Sequence, residues 1–158
     1  MPLNPPMRYS LNGLHLTEQF EQCRLVAYQD QGGIWTIAWG HTYRVYPGMT
    51  CTRMQADQWL LEDLVHATLT VNLLVNVVLT QDEFDALVDF VFNLGPEKFH
   101  GSTLLRLLNA GDYHGAAAQF DRWHFVAGKA CAGLLRRRQI ETREFEGELW
   151  RNQKPLSS

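Results

Sequence analysis

Residues 12–42 read NGLHLTEQFEQCRLVAYQDQGGIWTIAWGHT, and the change of pattern inside this stretch decides the fold class. Up to Glu21, the apolar residues Leu11, Leu14 and Phe20 fall at roughly helical spacing behind Ser10, whose short hydroxyl suits a helix N-cap. From Ala27 to Thr42 the pattern shifts to short segments rich in Tyr, Ile, Trp and Thr around Gly32-Gly33. That composition predicts a small hairpin or three-stranded sheet. The irregular patch continues through Tyr43 to Pro47-Gly48.

Beyond it the chain reads as helices. A long helical pattern runs from about Arg53 to Val78, with Trp59, Leu60, Leu64, Leu74 and Val78 among its apolar positions. Thr80-Gln-Asp-Glu83 is a capping box, so a new helix begins there and carries Phe84, Leu87, Val88 and Val91 on one face. Gly95-Pro96 ends it. Ser102 opens a short helix over Thr103–Asn109, and Asp112 caps another to about Trp123. The stretch Val126–Gly133 reads as loop, Leu134–Phe145 as the last helix and Trp150–Ser158 as a frayed tail. The expected class is α+β, mostly helical. A small lobe holding the hairpin (about 24–55) joins through one long helix (about 53–78) to a larger helical lobe (about 80–147) packed with the N-terminal helix (about 10–22). All of this falls within a single domain spanning 1–158, and a cleft between two such lobes suits a polymeric substrate.

The chain has 158 residues, 46% of them hydrophobic and 20% charged, which is enough apolar mass for a core and far from the disordered range. A net charge of −3 excludes a module held to nucleic acid by bulk charge. The charge is uneven, however: residues 1–120 carry 6 basic and 12 acidic groups, residues 121–158 carry 8 and 5. Cys23, Cys51 and Cys131 are too few and too scattered for a disulfide scaffold or a zinc knuckle. The opening MPLNPPMRYS has no apolar run of the kind a signal peptide needs. The most hydrophobic stretch, Leu69–Leu79, is too short to span a bilayer. No phosphate-binding glycine loop, G-x-S-x-G elbow or paired histidines at ligand spacing occur, so neither a metal nor a cofactor is expected.

The carboxylates are the candidates for chemistry. Glu21 ends an apolar-faced helix, Asp30 lies nine residues later in the hairpin region and Thr36 six beyond that. A helix end abutting a hairpin can place Glu and Asp on opposite walls of one cleft. Cleaving a glycosidic bond needs such a pair: a neutral acid for the leaving oxygen and a carboxylate to activate water or attack the sugar. Apolar surroundings favour the acid form at Glu21, while turn backbone favours the ionised form at Asp30. On spacing alone, the plainer readings are a solvated helix-end charge at Glu21 and an Asx-turn residue at Asp30.

The stretch Asn12–Thr42 closely resembles the catalytic signature of phage-type lysozymes, the endolysin family. Three later stretches resemble the same family: LTQDEFDALVDFVFNLG (Leu79–Gly95), STLLRLLNAGDYHGAAAQFDRW (Ser102–Trp123) and GLLRRRQIE (Gly133–Glu141). The resemblance implies a lysozyme-like fold and a muramidase that cleaves the β-1,4 bond between N-acetylmuramic acid and N-acetylglucosamine of bacterial peptidoglycan with inversion. It places the catalytic acid at Glu21, the water-holding pair at Asp30 and Thr36, and a supporting arginine at Arg137. That arginine brings a tension, because a cation beside an acid catalyst favours the wrong protonation state. Asn93 matches a cleft-lining position. Trp39 offers a ring for sugar stacking or core filling, and His41 is expected as a hydrogen-bonding support in the hairpin.

Three residues depart from the family pattern. Gln22 stands where the family has Gly, so that position is strained if its φ is positive, unless the first helix simply continues. Ala38 and Trp39 replace the Gly and Tyr of T-I-G-Y-G-H-T. The run Arg136-Arg137-Arg138 reads as a solvated helix face or as a basic patch drawn to the anionic wall. Two alternatives share the substrate: a lytic transglycosylase, against which Asp30 and Thr36 speak, and a non-catalytic wall-binding module. A nucleic-acid binder is not expected. The resemblance implies a monomer held in the host cytoplasm until a holin opens the way to the wall, with no membrane span of its own.

Overall fold

The computed structural model describes residues 5–148; the tail expected over Trp150–Ser158 lies outside them. Ser10 caps helix α1 (Leu11–Phe20) by accepting from the Gly13 N–H. Strands β1 (Arg24–Gln29) and β2 (Trp35–Ala38) form the expected antiparallel hairpin, pairing Tyr28 with Thr36 and Gln29 with Trp35. A bulge between Arg24 and Tyr28 frees β1 to bond a third segment, Ala27 N–H to Met49 (2.8 Å) and Cys51 N–H to Leu25 (3.0 Å). The small lobe closes over Ile37, Ala38 and Ala56, packed by Cys23, Trp39, Met49 and Trp59.

Helix α2 (Arg53–Leu74) joins the lobes. Its buried stripe recurs every three or four residues; Ala56 serves the small lobe, and Leu60, Leu64, Ala67 and Val71 enter the large one. The helix ends four residues earlier than its apolar pattern predicts. Asn109 clamps the end from another helix, donating to the Leu74 carbonyl (2.9 Å) and accepting from the Asn76 N–H (2.9 Å). The Thr80 capping box starts α3 (Gln81–Leu94), whose Phe84, Leu87, Val88, Phe90 and Val91 are buried.

Four further elements differ from what the sequence pattern predicts. Pro96 does more than stop α3: at a first helical position its missing N–H costs nothing, and it opens α4 (Pro96–His100). After α5 (Thr103–Asn109), the Asp112-capped helix α6 spans only Tyr113–Ala117. A separate 3-10 turn, Phe120–Arg122, then buries Phe120 in the core. The stretch expected as loop holds a hairpin, β3 (Phe125–Val126) with β4 (Lys129–Ala130), turned by left-handed Ala127 and Gly128. Helix α7 (Ala132–Phe145) begins two residues earlier than expected.

α7 also overturns both readings of the arginine run. Arg137 and Arg138 are buried and only Arg136 is exposed, so the run is neither a solvated face nor a basic patch. α3 packs between α1 and α7, which sets buried polar groups of all three helices against one another. No helix among the described residues is long and apolar enough to cross a membrane.

Candidate active site

Glu21 is the residue at which α1 stops. Its N–H closes the last turn on Thr17 (3.2 Å), but its backbone is extended (φ −100°, ψ 123°), so the helix does not continue through Gln22. Gln22 carries no left-handed strain either: the non-glycine residues with positive φ among those described are Ala38, Arg44 and Ala127. The strain expected at Gln22 sits at Ala38 instead (φ 59°), a fully buried residue. The Glu21 carboxylate accepts from Arg137 Nη1 (2.7 Å), and its other oxygen lies against Gly40. A Cβ built on Gly40 would come within 2.7 Å of that oxygen, so this glycine gives the acid its space.

Asp30 lies at the hairpin turn and does what an Asx-turn residue does. Its Oδ1 accepts from Gly32 N–H (2.9 Å) and Ile34 N–H (2.8 Å). Both bonds end on one oxygen, and Oδ2 makes no hydrogen bond to a described residue. The turn therefore fixes the carboxylate and leaves an acceptor exposed. Thr36, the strand partner of Tyr28, is buried and donates its hydroxyl proton to the Ile34 carbonyl (2.9 Å), which leaves its oxygen able to accept. Tyr28 ties the two carboxylates to one neighbourhood: burial first, then the charges of Glu21 and Asp30, push its phenol up, while Arg24 (4.3 Å from its ring centroid) opposes them.

The other expected residues hold the frame. His41 Nδ1 lies 2.8 Å from Asp63 Oδ2, and its ring stacks on Trp59 at 4.8 Å. Its backbone closes the Ile37–His41 turn in both directions at 2.9 Å. Trp39 donates its indole N–H to Asp57 (2.8 Å) beneath the Arg53 guanidinium, so α2 fixes its ring. Asn93 accepts from Arg138 Nη2 (2.8 Å).

Behind Glu21 lies a buried network that the sequence pattern does not reveal. Asp89 of α3 accepts from Arg137 Nε (2.9 Å) and Nη2 (2.8 Å), and from the Thr17 hydroxyl (2.7 Å). Burial disfavours the Asp89 charge, but Arg137 and the hydrogen bonds of Glu141, Arg137 and Thr17 outweigh it and hold its pKa well below the usual carboxylate range. Burial also opposes the Arg137 charge, yet Asp89 and then Glu21 raise its pKa. Glu141 behaves oppositely to Asp89. Burial pushes its pKa well up, Arg138 opposes that only in part, and Asp89 adds to it. The signal available for Asp89 was its spacing from Asp85, i and i+4, which sets two carboxylates in one row along an otherwise apolar helix. The signal for Gly40 was a lone glycine between Trp39 and His41. Among the described residues, three carboxylates (Asp82, Asp85 and Glu144) bring oxygens within 4.8 Å of one another. Ser10 and Gln81 already hydrogen-bond Asp85 there.

A family model described as phage lysozyme matches residues 18–141, the span that holds Glu21, Asp30, Thr36 and Arg137. The chain belongs to the phage lysozyme family. It is 43% identical over 144 residues to an endolysin of Acyrthosiphon pisum secondary endosymbiont phage 1, covering 89% of this chain and 99% of that one. Among solved structures it is similar to the muramidase domain of SpmX from Asticaccaulis excentricus, at 39% identity and a TM-score of 0.78, covering 87% of this chain and 97% of that one. It is also similar to the endolysin from Escherichia coli O157:H7 phage FAHEc1, at 36% identity and a TM-score of 0.80, covering 90% and 96%. As a phage lysozyme the chain is a glycoside hydrolase that degrades peptidoglycan.

Proposed function

We propose that this lysozyme cleaves the β-1,4 bond from N-acetylmuramic acid to N-acetylglucosamine with inversion. Glu21 acts as general acid, and Asp30 with Thr36 holds the attacking water. The observation that carries this reading is the contrast between the two carboxylates. Glu21 is mostly covered and braced by Arg137 and Gly40, whereas Asp30 is exposed, anchored through one oxygen and open at the other. An acid must meet a leaving oxygen in a shielded place, and a base must reach water. Residues 1–158 then work as a single domain whose two lobes supply opposite walls. Trp39 and Asn93 contact the glycan, while Arg137 and His41 support the site. The enzyme acts as a monomer and passes from the host cytoplasm to the wall once a holin has opened the membrane.

Glu21→Gln is expected to fold normally and to lose activity on peptidoglycan by about 10²–10⁴-fold, because the amide keeps the shape without a proton to give. Asp30→Asn keeps the turn, since an amide oxygen still accepts the two backbone N–H groups, and loses hydrolysis because it cannot activate water. Near-normal clearing of a wall suspension by Asp30→Asn, with unchanged melting, reduces Asp30 to its turn role. Early-time NMR of the product tests the water-holding pair: inversion gives the α-anomer first. A first-formed β-anomer or a 1,6-anhydro sugar overturns that assignment, the latter in favour of a transglycosylase.

A further inference from the structure

The guanidinium that braces Glu21 is also a cation, and a cation beside an acid catalyst favours the carboxylate over the acid. We propose that Asp89 is the positioning residue that resolves this conflict, by fixing one arm of Arg137 on Glu21 while cancelling the charge that arm carries. The proposal rests on the acid role of Glu21 and explains how this chain keeps that acid usable.

The geometry divides the guanidinium in two. Asp89 takes the Nε and Nη2 edge in a forked pair, which leaves Nη1 for Glu21 at 2.7 Å. The Thr17 hydroxyl holds the same Asp89 oxygen that Nη2 uses, so the fork cannot swing. Arg137 and Asp89 are both buried, where opposite charges cancel with little screening by water, and Glu21 faces a neutral pair rather than a bare cation.

Among the described residues, no other neighbour supplies that cancelling charge. On α7, Glu141 lies 4.0 Å from Arg137 Nε and is biased by burial toward its neutral form, while Arg138 is engaged by Glu141 and Asn93. On α3, Asp85 is held by Ser10 and Gln81 instead. Ahead of α1, Tyr9 bonds Thr17 and is kept neutral by burial and then by Asp89. In the hairpin, Tyr28 is likewise biased toward neutral, and Arg24 and Asp30 flank it with opposite signs. Among the described residues, Asp89 is the one that takes an edge of the guanidinium in a forked pair, and the Phe20 ring, 5.1 Å from Arg137 Cζ, brings no charge.

The test is the pH–activity profile on purified peptidoglycan at constant ionic strength, with folding checked by thermal melting. Asp89→Asn keeps the shape and removes the charge, so activity is expected to fall away at a pH about one to three units lower than in wild type, with activity at the acid end persisting. Asp85→Asn removes an equally deep carboxylate one helical turn away and leaves that limb in place. If Asp89→Asn fails to fold around its unpaired cation, the double variant Asp89→Asn, Arg137→Gln buries no lone charge. Its limb is expected at or above the wild-type pH. The proposal is overturned by a folded Asp89→Asn with the wild-type limb, by a double variant whose limb lies below wild type, or by Asp85→Asn moving the limb as far as Asp89→Asn. Full activity in Glu21→Gln instead overturns the acid assignment, a failure read on a different variant.

Discussion

At Gly40 a single hydrogen atom separates a working site from a displaced one. Its φ of +79° is a conformation that costs an L residue about 1 kcal/mol or more, and a methyl there would press on Glu21 Oε2 at 2.7 Å. The Glu21 side chain is flexible enough to move away, so the fold survives, but the carboxylate leaves its place against Arg137. Gly40→Ala is therefore expected to lower kcat by about 10²-fold, the usual penalty for a misplacement near 1 Å. Melting should drop only modestly; a variant with normal kcat refutes the close fit. Two residues earlier, Ala38 sustains a left-handed φ with its methyl in the small-lobe core, so strain alone does not exclude a side chain from this turn. The residues proposed to react, Glu21, Asp30 and Thr36, were legible through the resemblance to the phage lysozyme family, since spacing alone allowed plainer readings at Glu21 and Asp30. Gly40 and Asp89 were not, because a missing methyl and a buried charge acquire meaning only from what folds against them.

Elements were legible at their starts and less so at their ends. Ser10, Thr80, Ser102 and Asp112 each cap the helix that follows through a local hydrogen bond, and a local bond is visible in a local sequence. The end of α2 is set by Asn109, 35 residues beyond Leu74, and no window over residues 53–78 contains that information. The β3–β4 hairpin was missed because Ala127 occupies a left-handed position that Asn or Gly more often fills. Asn109→Ala removes both clamp bonds at once, leaving the Leu74 carbonyl and the Asn76 N–H to find other partners. The expected cost is about 1–3 kcal/mol, or roughly 2–10 °C in Tm for a chain of this size. Hydrogen exchange should quicken at residues 74–76 and leave the start of α2 protected. Uniform loss of protection along α2 would show that the clamp is not what ends the helix.

Across the whole molecule, the interface of α1, α3 and α7 contains charge pairs as well as apolar packing, and the protein's response to pH should reveal this. Asp89 has a folded pKa below its unfolded value near 3.9, so its contribution is present above about pH 4 and is lost as the pH falls. Glu141 has a folded pKa above its unfolded value near 4.3. Its contribution is present below about pH 4 and is lost as the pH rises through the folded value. The two groups thus narrow the stable range from opposite sides. Glu141→Gln separates them, because the amide keeps an oxygen for Arg138 and an N–H donor for Asp89 but has no proton to lose. Relative to wild type between pH 3 and pH 8, the variant is expected to gain stability as the pH rises above the unfolded value near 4.3 toward the folded one, while sharing the wild-type loss below pH 4. Melting temperatures of both proteins across that range, at one salt concentration, check the sign. A difference between them that stays constant with pH would show that Glu141 titrates alike in the folded and unfolded chains. The network behind Glu21 would then hold two ionised carboxylates, rather than one ionised and one biased toward its acid form.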